Sequence, residues 1–401
     1  MNARLFRLAW IFAAVGLASG VSGGGALADE GAEAAFRAEM AGKIMTVQGP
    51  IAPEEVGITL PHEHLFIDLS LPLDAPERWA LSHREYPDTE EKLALWRMKV
   101  RLDNLADIYR HIWVNEDVLI VENMKEVLRE ATYFKNAGGR TLVDVTTNGL
   151  GRDPERIARV SRESGLNVVM GAGWYRDAWR PEEFNARSVN SIADEIVSDI
   201  VYGVGETGVH SGIIGEIPAM TVVTAPEDSD DVKQLRAAAR ASRRTGAAIT
   251  LHQWVGDGSQ FMKMLDILEE EGADLSRVIV GHIAGDAYDK VFLLEAALKR
   301  GVTLEFDLFG VPSPLGNPTV DNRYMGEIVS KLIEKGYSSQ LLLSQDVCTK
   351  IQQRAYGGKG FDFVLADVVP YLRAAGATDE DIDNMLVRNP ARLLAITPTQ
   401  N

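Results

Sequence analysis

Short runs of apolar, β-branched residues recur along this chain from about residue 44 onward, and stretches with helical periodicity separate most of them. Strands that are buried on both faces, as in a parallel sheet, produce such nearly continuous apolar runs. We therefore predict eight strands. They cover residues 58–60, 141–145, 168–172, 212–216, 248–251, 278–281, 302–306 and 341–344.

The stretches between these runs carry helix signals at both ends. Asp153 and Pro154 are typical of an N-cap followed by proline at the first helical position, and Gly165 is typical of the end of that helix. Similar helical patterns, each followed by a glycine, cover residues 228–244, 261–268, 291–298 and 328–333.

Eight strand–helix units in succession predict an α/β fold, a single (β/α)₈ TIM barrel over residues 44–396. A doubly wound open sheet is the alternative, but it normally has a glycine-rich turn after its first strand, where this chain has Pro61 and His62. Residues 69–117 are rich in Trp, Arg, Glu and Leu and have no strand pattern. We interpret them as a partly helical insertion that could cover the mouth of the barrel.

Residues 1–28 have the pattern of a secretory signal peptide. Two arginines precede a short apolar stretch, and Ala26 and Ala28 supply the small residues that a cleavage site needs. The apolar stretch is too short to span a membrane well, and a retained N-terminal anchor is the alternative interpretation. We expect export to a periplasm or to the extracellular medium, with residues 29–43 forming a leader or linker ahead of the barrel.

Composition narrows the classes of function. With 46% apolar and 25% charged residues, the chain is ordinary globular material. Its formal net charge of −17 repels phosphate backbones, so we expect no nucleic-acid partner, and we expect no membrane partner either. The single cysteine, Cys348, excludes an internal disulfide and a thiolate metal cluster, and we interpret it as a small buried apolar residue.

Ionisable side chains follow five of the predicted strands, at the end where the chemistry takes place in (β/α)₈ barrels. Two histidines that are two residues apart on a strand point to the same side, so both imidazoles of the first strand face the barrel axis. Imidazoles and carboxylates together are ligands for zinc or a similar divalent metal. The residues are His62, His64, Glu216, His252, His282 and Asp346.

Each of these residues alone has an ordinary explanation, because a histidine on an apolar strand is as often a core residue as a ligand. Their spacing, however, follows the barrel repeat. Glu216 and His252 are 36 residues apart, His252 and His282 are 30 apart, and Asp346 follows after 64, which is two units. Burying ionisable groups without a partner costs roughly several kcal/mol each. The pattern therefore predicts a metal site at the carboxyl ends of the strands.

The same residues resemble the phosphotriesterase family within the amidohydrolase superfamily. The similarity covers nearly the whole chain, from about residue 45 to residue 394, and its motifs are specific in combination. The motifs are Pro-His-Glu-His at 61–64, Gly-His at 281–282 and Ser-Gln-Asp at 344–346.

This resemblance implies two divalent cations, with zinc as the expected metal, joined by a protein ligand and a bridging hydroxide. The hydroxide would attack a phosphotriester, an ester or lactone, or an amide in a small-molecule substrate, and Asp346 would accept its proton. The family also suggests a homodimer. One cation would be held by His62, His64 and Asp346, and the other by His252 and His282.

The fourth strand departs from the best-known family members, which carry a carboxylated lysine there. Glu216 stands in this strand, one residue out of register, and its two carboxylate oxygens can bridge two cations. The chain thus resembles the glutamate-bridged branch, which includes the phosphotriesterase homology protein and the mammalian phosphotriesterase-related protein. Leu308 stands where the lactonase branch has an arginine, so the resemblance favours an N-acyl amide over a lactone.

The sequence gives less specific roles to several other residues. Trp174, Tyr175 and Arg176 follow the third strand and could line the substrate pocket, with Arg176 binding an anionic group, although ordinary loop packing explains them equally well. We expect Glu63 to orient neighbouring groups. The histidines interpreted as solvated are His83, His111 and His210.

Two other classes of function stay open. A mononuclear deaminase or isomerase of the same superfamily would use fewer of these ligands. A non-catalytic exported protein that binds zinc or a solute would use them without turnover, although a single barrel period argues against the two-lobed build of such proteins. Metal content and turnover separate the three.

Overall fold

Eight parallel strands form a nearly closed barrel in the computed structural model, which describes residues 30–253, 258–284, 287–312 and 321–398. Each of the eight apolar runs is a strand, and each strand pairs with the next one along the chain. The prediction of a (β/α)₈ barrel is confirmed. The barrel strands are β1 (Thr59–Glu63), β2 (Thr141–Asp144), β3 (Asn167–Ala172), β4 (Ile213–Pro218), β5 (Ile249–His252), β6 (Val278–Val280), β7 (Thr303–Phe306) and β8 (Leu341–Leu343).

Alternate side chains of the strands divide between the inside and the outside of the barrel. On β7, Leu304 and Phe306 belong to the large apolar cluster that includes the surrounding helices, so Glu305 between them faces the axis. A smaller apolar cluster fills the lower part of the interior. It includes Val143, Val169, Ile213, Ala248, Ile279 and Leu342. The polar residues toward the carboxyl ends of the strands lie above this apolar layer.

The helices end where the sequence signals place them. The Asp153 side chain accepts a hydrogen bond from the backbone N–H of Arg156 at 3.0 Å, and Gly165 ends the same helix at a φ of 70°. Seven helices pack around the strands in the described part of the chain. They are Met124–Asn136, Pro154–Ser164, Val189–Val201, Asp230–Thr245, Ser259–Glu270, Val291–Lys299 and Asn322–Glu334. After β8 come the shorter helices Val369–Ala374, Asp379–Asp383 and Asn389–Leu394.

The insertion at residues 69–117 is partly helical, as predicted. A short antiparallel pair of strands, Ile67–Asp68 and Ile120–Val121, holds its two ends together. Trp79 is 1% exposed and donates its indole N–H to the carbonyl of Pro72 at 2.9 Å, so the insertion packs as an ordered unit. Its helices are Pro76–Ser82, Glu90–Arg97 and Leu105–Ile108.

The leader is a helix, Glu30–Met40, that is joined to the barrel by an ion pair of 2.6 Å between Glu33 and Arg244. A hairpin formed by Ile44–Thr46 and Gly49–Ile51 follows it. The expected signal peptide, residues 1–28, lies outside the described residues. Within the described residues, we find no helix with the length and apolar character that a membrane crossing requires.

Candidate metal centre

His62 and His64 stand at the carboxyl end of β1 and direct their imidazoles into the mouth of the barrel. His64 Nε2 lies 3.2 Å from Asp346 Oδ1, and His62 Nε2 lies 4.0 Å from the same oxygen. The ligating atoms of these three side chains all lie within 4.8 Å of one another. The first predicted ligand set is therefore brought together by β1 and by the loop after β8.

Glu216, near the end of β4, lies among all four histidines. Its Oε2 atom is 2.9 Å from His252 Nδ1, 3.5 Å from His282 Nε2 and 3.3 Å from His62 Nε2. Its Oε1 atom is 3.7 Å from His64 Nε2. The two carboxylate oxygens of Glu216 thus face both predicted ligand sets.

The register of β4 is irregular around this glutamate. Ile214 pairs with Ile249 and Ile217 pairs with Leu251, so β4 takes three steps where β5 takes two. An extra residue of this kind is a β-bulge, which turns a side chain in a new direction. Glu216 lies within the bulge.

Carboxylates on and after β7 contact the Nδ1 atoms of two candidate ligands, His62 and His282, on the side of each ring away from Glu216. Sequence reasoning missed this role. Asp307 Oδ2 lies 3.1 Å from His62 Nδ1, and Asp307 Oδ1 lies 3.1 Å from His282 Nδ1. Glu305 Oε2 lies 3.2 Å from His62 Nδ1. Because Nδ1 of each ring is engaged by a carboxylate, Nε2 of His62 and of His282 is the atom directed at Glu216.

His64 is oriented in the same way by a hydroxyl group. Its Nδ1 atom lies 2.8 Å from Thr146 Oγ1, just after β2. The Asp144 carboxylate, two residues earlier, accepts the backbone N–H of Thr146 at 3.0 Å and that of Leu65 at 2.8 Å. The end of β2 therefore fixes both the ring of His64 and the backbone that follows it.

The carboxylates determine the charge that this site prefers. Burial acts to lower the pKa of His282, but Asp307 and Glu216 outweigh it and raise the pKa to about 10. The pKa of His62 is raised well above its usual range in the same way, whereas burial lowers the pKa of His252 to about 4. Burial acts to raise the pKa of Glu216, but the imidazoles around it hold that pKa well below its usual range. The centre therefore favours positive charge, which divalent cations supply when the imidazoles are neutral.

Two of the candidate ligands have left-handed backbone conformations, with φ of 53° at His282 and 47° at Asp346. Such conformations cost about 1–2 kcal/mol for residues other than glycine. Glu63 helps to hold the second of them, because its carboxylate accepts the backbone N–H of Gln345 at 3.0 Å and that of Val347 at 2.9 Å. Glu63 is thus a positioning residue for the loop that carries Asp346.

A cavity of about 840 Å³ opens above the centre, and the 69–117 insertion forms part of its wall. His83 and His111 were expected to be solvated, and they are exposed, but they also line this cavity. His210 is half-buried instead, with its Nδ1 atom 3.0 Å from the carbonyl oxygen of Ile200. The insertion residues in the wall include His83, Arg84, Tyr109, His111 and Trp113.

The loop after β3 contributes two of its three candidate pocket residues to the cavity. Tyr175 and Arg176 line it, and the Tyr175 ring packs edge-on against His252 with 5.2 Å between centroids. The expectation that Trp174 lines the substrate pocket is wrong. Its indole N–H donates to Glu195 of the helix Val189–Val201 at 3.0 Å, and this side chain is not among the described residues that line the cavity.

Cys348 is half-buried and also lines the cavity. Burial, together with the nearby Asp346 and Glu216 carboxylates, raises the pKa of its thiol well above the usual range. A thiol in that state is a poor nucleophile, which agrees with its interpretation as a small apolar residue.

Comparison with known proteins places this geometry in context. A sequence model of the Phosphotriesterase family matches residues 42–394. An N-acetyltaurine hydrolase from Dictyostelium discoideum is 35% identical over 376 residues, which are 89% of this chain and 99% of that protein.

Two solved structures have similar folds. A resiniferatoxin-binding protein from Rhodobacter sphaeroides matches with a TM-score of 0.79 at 33% identity, over 88% of this chain and 95% of that one. The phosphotriesterase homology protein from Escherichia coli, complexed with phosphate in its active site, matches with a TM-score of 0.66 at 26% identity. The match covers 85% of this chain and 99% of that one.

Proposed function

Because this chain belongs to the phosphotriesterase family of hydrolases, we propose that it uses two divalent cations to hydrolyse an N-acyl amide. The observation that carries the proposal is the arrangement of four imidazoles and the Asp346 carboxylate around the buried carboxylate of Glu216. They come from five different strand ends of one barrel, where the fold supports catalysis.

The donor atoms fit two cations. His62, His64 and Asp346 would hold one cation and His252 and His282 the other, and the carboxylate of Glu216, which faces both sets, would be shared between them. Nε2 of His62 is buried and makes no hydrogen bond within the described residues, as expected for a ligating atom. A donor set of imidazoles and carboxylates suits zinc best among the common metals.

The side chains of this protein then have separate tasks. When bound, the cations lower the pKa of a shared water and polarise the scissile carbonyl. Asp346 would accept the proton of the attacking water through Oδ1 and pass it to the departing nitrogen. The Asp346 side chain is 13% exposed, whereas those of His62, His64 and Glu216 are at most 3% exposed. Of the two carboxylates in the centre, Asp346 is therefore the more exposed to the cavity.

The choice of an amide rests on relatives and on one side chain. The relative from Dictyostelium discoideum is named for the hydrolysis of N-acetyltaurine, an N-acyl amide. Leu308, which stands where the lactonase branch has an arginine, is buried and lines the cavity. An apolar side chain at this place favours an uncharged acyl group.

Metal content and turnover of two variants test the proposal. We expect about two divalent cations per chain after purification with added zinc. Glu216→Gln should lose one cation and nearly all hydrolysis of N-acetyltaurine, because an amide is a poor bridging ligand and carries no charge. Asp346→Asn should keep most of the metal but lose about 10²–10⁴-fold in rate, because a proton acceptor is gone.

The two variants control for each other, since both remove one negative charge from the same cavity. A stoichiometry of one metal with retained turnover would favour the mononuclear alternative. Two metals without turnover of amide, lactone or phosphotriester would favour a binding protein. Near-normal turnover by Glu216→Gln would contradict the bridging role of Glu216.

A further inference from the structure

Two guanidinium groups lie together on the wall of the cavity. Arg84 comes from the 69–117 insertion, just after the helix Pro76–Ser82, and Arg176 comes from the loop after β3. Arg84 Cζ is 4.8 Å from the ring centroid of Trp179 and 4.8 Å from that of Trp113. Arg176 Cζ is 5.9 Å from the same Trp179 ring. Both cations therefore stand beside one indole, although they come from separate parts of the sequence.

Neither guanidinium has a carboxylate partner among the described residues. Arg84 donates to the carbonyl of Leu69 at 2.6 Å, and the buried Nε of Arg176 makes no hydrogen bond in the described part of the chain. This differs from Arg180 in the same loop, which pairs with Asp231 at 2.9 Å.

The acidic groups of the cavity wall are engaged elsewhere. Glu85 follows Arg84 directly, but its carboxylate pairs with Lys92 at 2.9 Å. Glu216 and Asp346 belong to the metal centre. The carboxylates that line the cavity thus either belong to the metal centre or pair with Lys92, and none of them pairs with Arg84 or Arg176 among the described residues.

Two positive charges held close together without an anion destabilise each other. Burial lowers the pKa of Arg84 to about 10, and the nearby charge of Arg176 acts in the same direction, yet the group stays protonated at neutral pH. Buried cations normally have a charged partner. A guanidinium presents several N–H donors in a planar fork that matches carboxylate, phosphate or sulfonate oxygens.

Aromatic contacts connect this place to the metal centre. The His252 ring contacts Tyr175 with 5.2 Å between centroids, and Tyr175 contacts Trp179 with 5.4 Å between centroids. Trp179 in turn contacts Arg84. Arg84, Arg176 and His252 thus line one cavity, so a single molecule can contact both guanidiniums and the histidines.

We propose that Arg84 and Arg176 form a subsite for the anionic end of the amine half of the substrate, a sulfonate or a carboxylate. This inference rests on the proposed amide hydrolysis and adds to it the group that selects the substrate. The insertion then serves as a specificity element, because it supplies one of the two guanidiniums.

Matched substrates test the subsite by kinetics. N-acetyltaurine carries a sulfonate, N-acetyl-β-alanine a carboxylate and N-acetylethanolamine a neutral hydroxyl at the same distance from the amide. We expect kcat/KM for the neutral compound to be at least about 100-fold below that of the better anionic one. The ratio between the two anionic compounds identifies which anion the subsite fits.

Variants connect this preference to the two residues. Arg84→Met and Arg176→Met should each lower kcat/KM for the anionic compounds about 10- to 100-fold, mainly through KM, and should leave the neutral compound nearly unchanged. Arg84→Lys should recover part of the loss. Arg110→Met is the control, because Arg110 lies in the cavity wall but pairs with Asp107 at 3.2 Å and is exposed.

A binding measurement separates this inference from the proposed function. Calorimetric titration of the zinc-loaded protein with propane-1-sulfonate, which has no amide, reports on the subsite without turnover. We expect binding by the wild type and the Arg110→Met variant and at least tenfold weaker binding by Arg84→Met and Arg176→Met.

The outcomes are distinct. Arginine-dependent sulfonate binding without hydrolysis of any N-acyl compound would leave the subsite standing and overturn amide hydrolysis. Hydrolysis with equal kcat/KM for neutral and anionic compounds, or sulfonate binding that the arginine variants do not change, would overturn the subsite and leave the hydrolase proposal intact.

Discussion

Asp307 is the residue that couples the two candidate ligand sets. Its two carboxylate oxygens lie 3.1 Å from Nδ1 of His62 and from Nδ1 of His282, and both are within 3.0 Å of the backbone nitrogen of His282. One buried carboxylate therefore orients a histidine of each set and also supports the left-handed backbone of His282. Carboxylates in this position normally raise the affinity of the metal that the imidazole binds.

We expect Asp307→Asn to weaken binding of both cations by about 10- to 100-fold. The asparagine side chain has only one acceptor oxygen, so it cannot accept hydrogen bonds from Nδ1–H of both His62 and His282. Glu305→Gln is the matched variant, since Glu305 contacts His62 and should affect mainly one cation. Competition with a chromogenic zinc chelator measures both affinities, and circular dichroism checks folding. Unchanged metal affinity in a folded Asp307→Asn protein would contradict this role.

The candidate ligands could be identified from the sequence, but the carboxylates that orient them, Glu305 and Asp307, were not. His62, His64, His252 and Asp346 follow apolar strands, where an ionisable group stands out. Glu305 lies inside such a run, and reading the run as buried on both faces concealed that it alternates with its apolar neighbours. The alternation of Thr303, Glu305 and Asp307 with Leu304 and Phe306 was the signal that could have revealed it.

At the scale of elements, the barrel has a seam between β8 and β1, which do not form a ladder with each other among the described residues. One backbone hydrogen bond, from the N–H of Asp346 to the carbonyl of His62 at 3.1 Å, and several side-chain contacts cross the seam. Ser344 Oγ accepts the backbone N–H of His62 at 3.0 Å and lies 2.9 Å from Glu63 Oε1. The Glu63 carboxylate also holds the loop that carries Asp346. The seam thus connects closure of the barrel to the placement of a candidate ligand.

Glu63→Gln should lower the free energy of unfolding by about 1–3 kcal/mol, because the amide cannot accept all the buried N–H groups that the carboxylate accepts. Urea unfolding of the metal-free protein measures this change. In a double-mutant cycle with Ser344→Ala, the two effects should be non-additive, since the side chains share a contact.

Glu55→Gln serves as the control for this change. Its exposed carboxylate accepts the backbone N–H of Ala52 at 2.9 Å, and we expect a change within about 0.5 kcal/mol. Strict additivity of Glu63→Gln and Ser344→Ala would show that the seam does not act as one unit.

Helices and strands could be predicted where the sequence pattern that specifies them lies within the element itself. All eight strands and the cap of the helix Pro154–Ser164 depend on residues adjacent in the sequence. The position of Arg84 is different, because it depends on how the 69–117 insertion folds back over the barrel. No periodicity within that stretch fixes which of its side chains enter the cavity. The sequence predicted the exposure of His83 and His111 but, for the same reason, not that they line the cavity.

At the scale of the whole molecule, the barrel supplies the candidate ligands and the surrounding loops supply the candidate selectivity. The ligands come from strand ends that repeat regularly along the chain, whereas Arg84, Trp113 and Tyr175 come from loops of unrelated length. Changes in the loops can therefore alter the preferred substrate while the metal centre stays the same. The homodimer that the family resemblance suggests stays a prediction.

We propose that residues 1–28 direct export of this protein and are removed during it. Ala26 and Ala28 satisfy the requirement of signal peptidases for small residues, so the mature chain should begin at Asp29 or within a few residues of it. Expression of the full chain, followed by N-terminal sequencing of the periplasmic or extracellular fraction, measures this. Ala28→Phe should leave the longer precursor in the cell, because a bulky ring does not fit the peptidase site.

Ala32→Phe, four residues beyond the expected cleavage point, is the control and should be processed normally. An intact Met1 on exported protein would contradict removal of the segment, and absence of the protein from both fractions would contradict export. Processing at Asp29 would leave the helix Glu30–Met40 at the very start of the mature chain. The ion pair between Glu33 and Arg244 would then attach that helix to the barrel directly after cleavage.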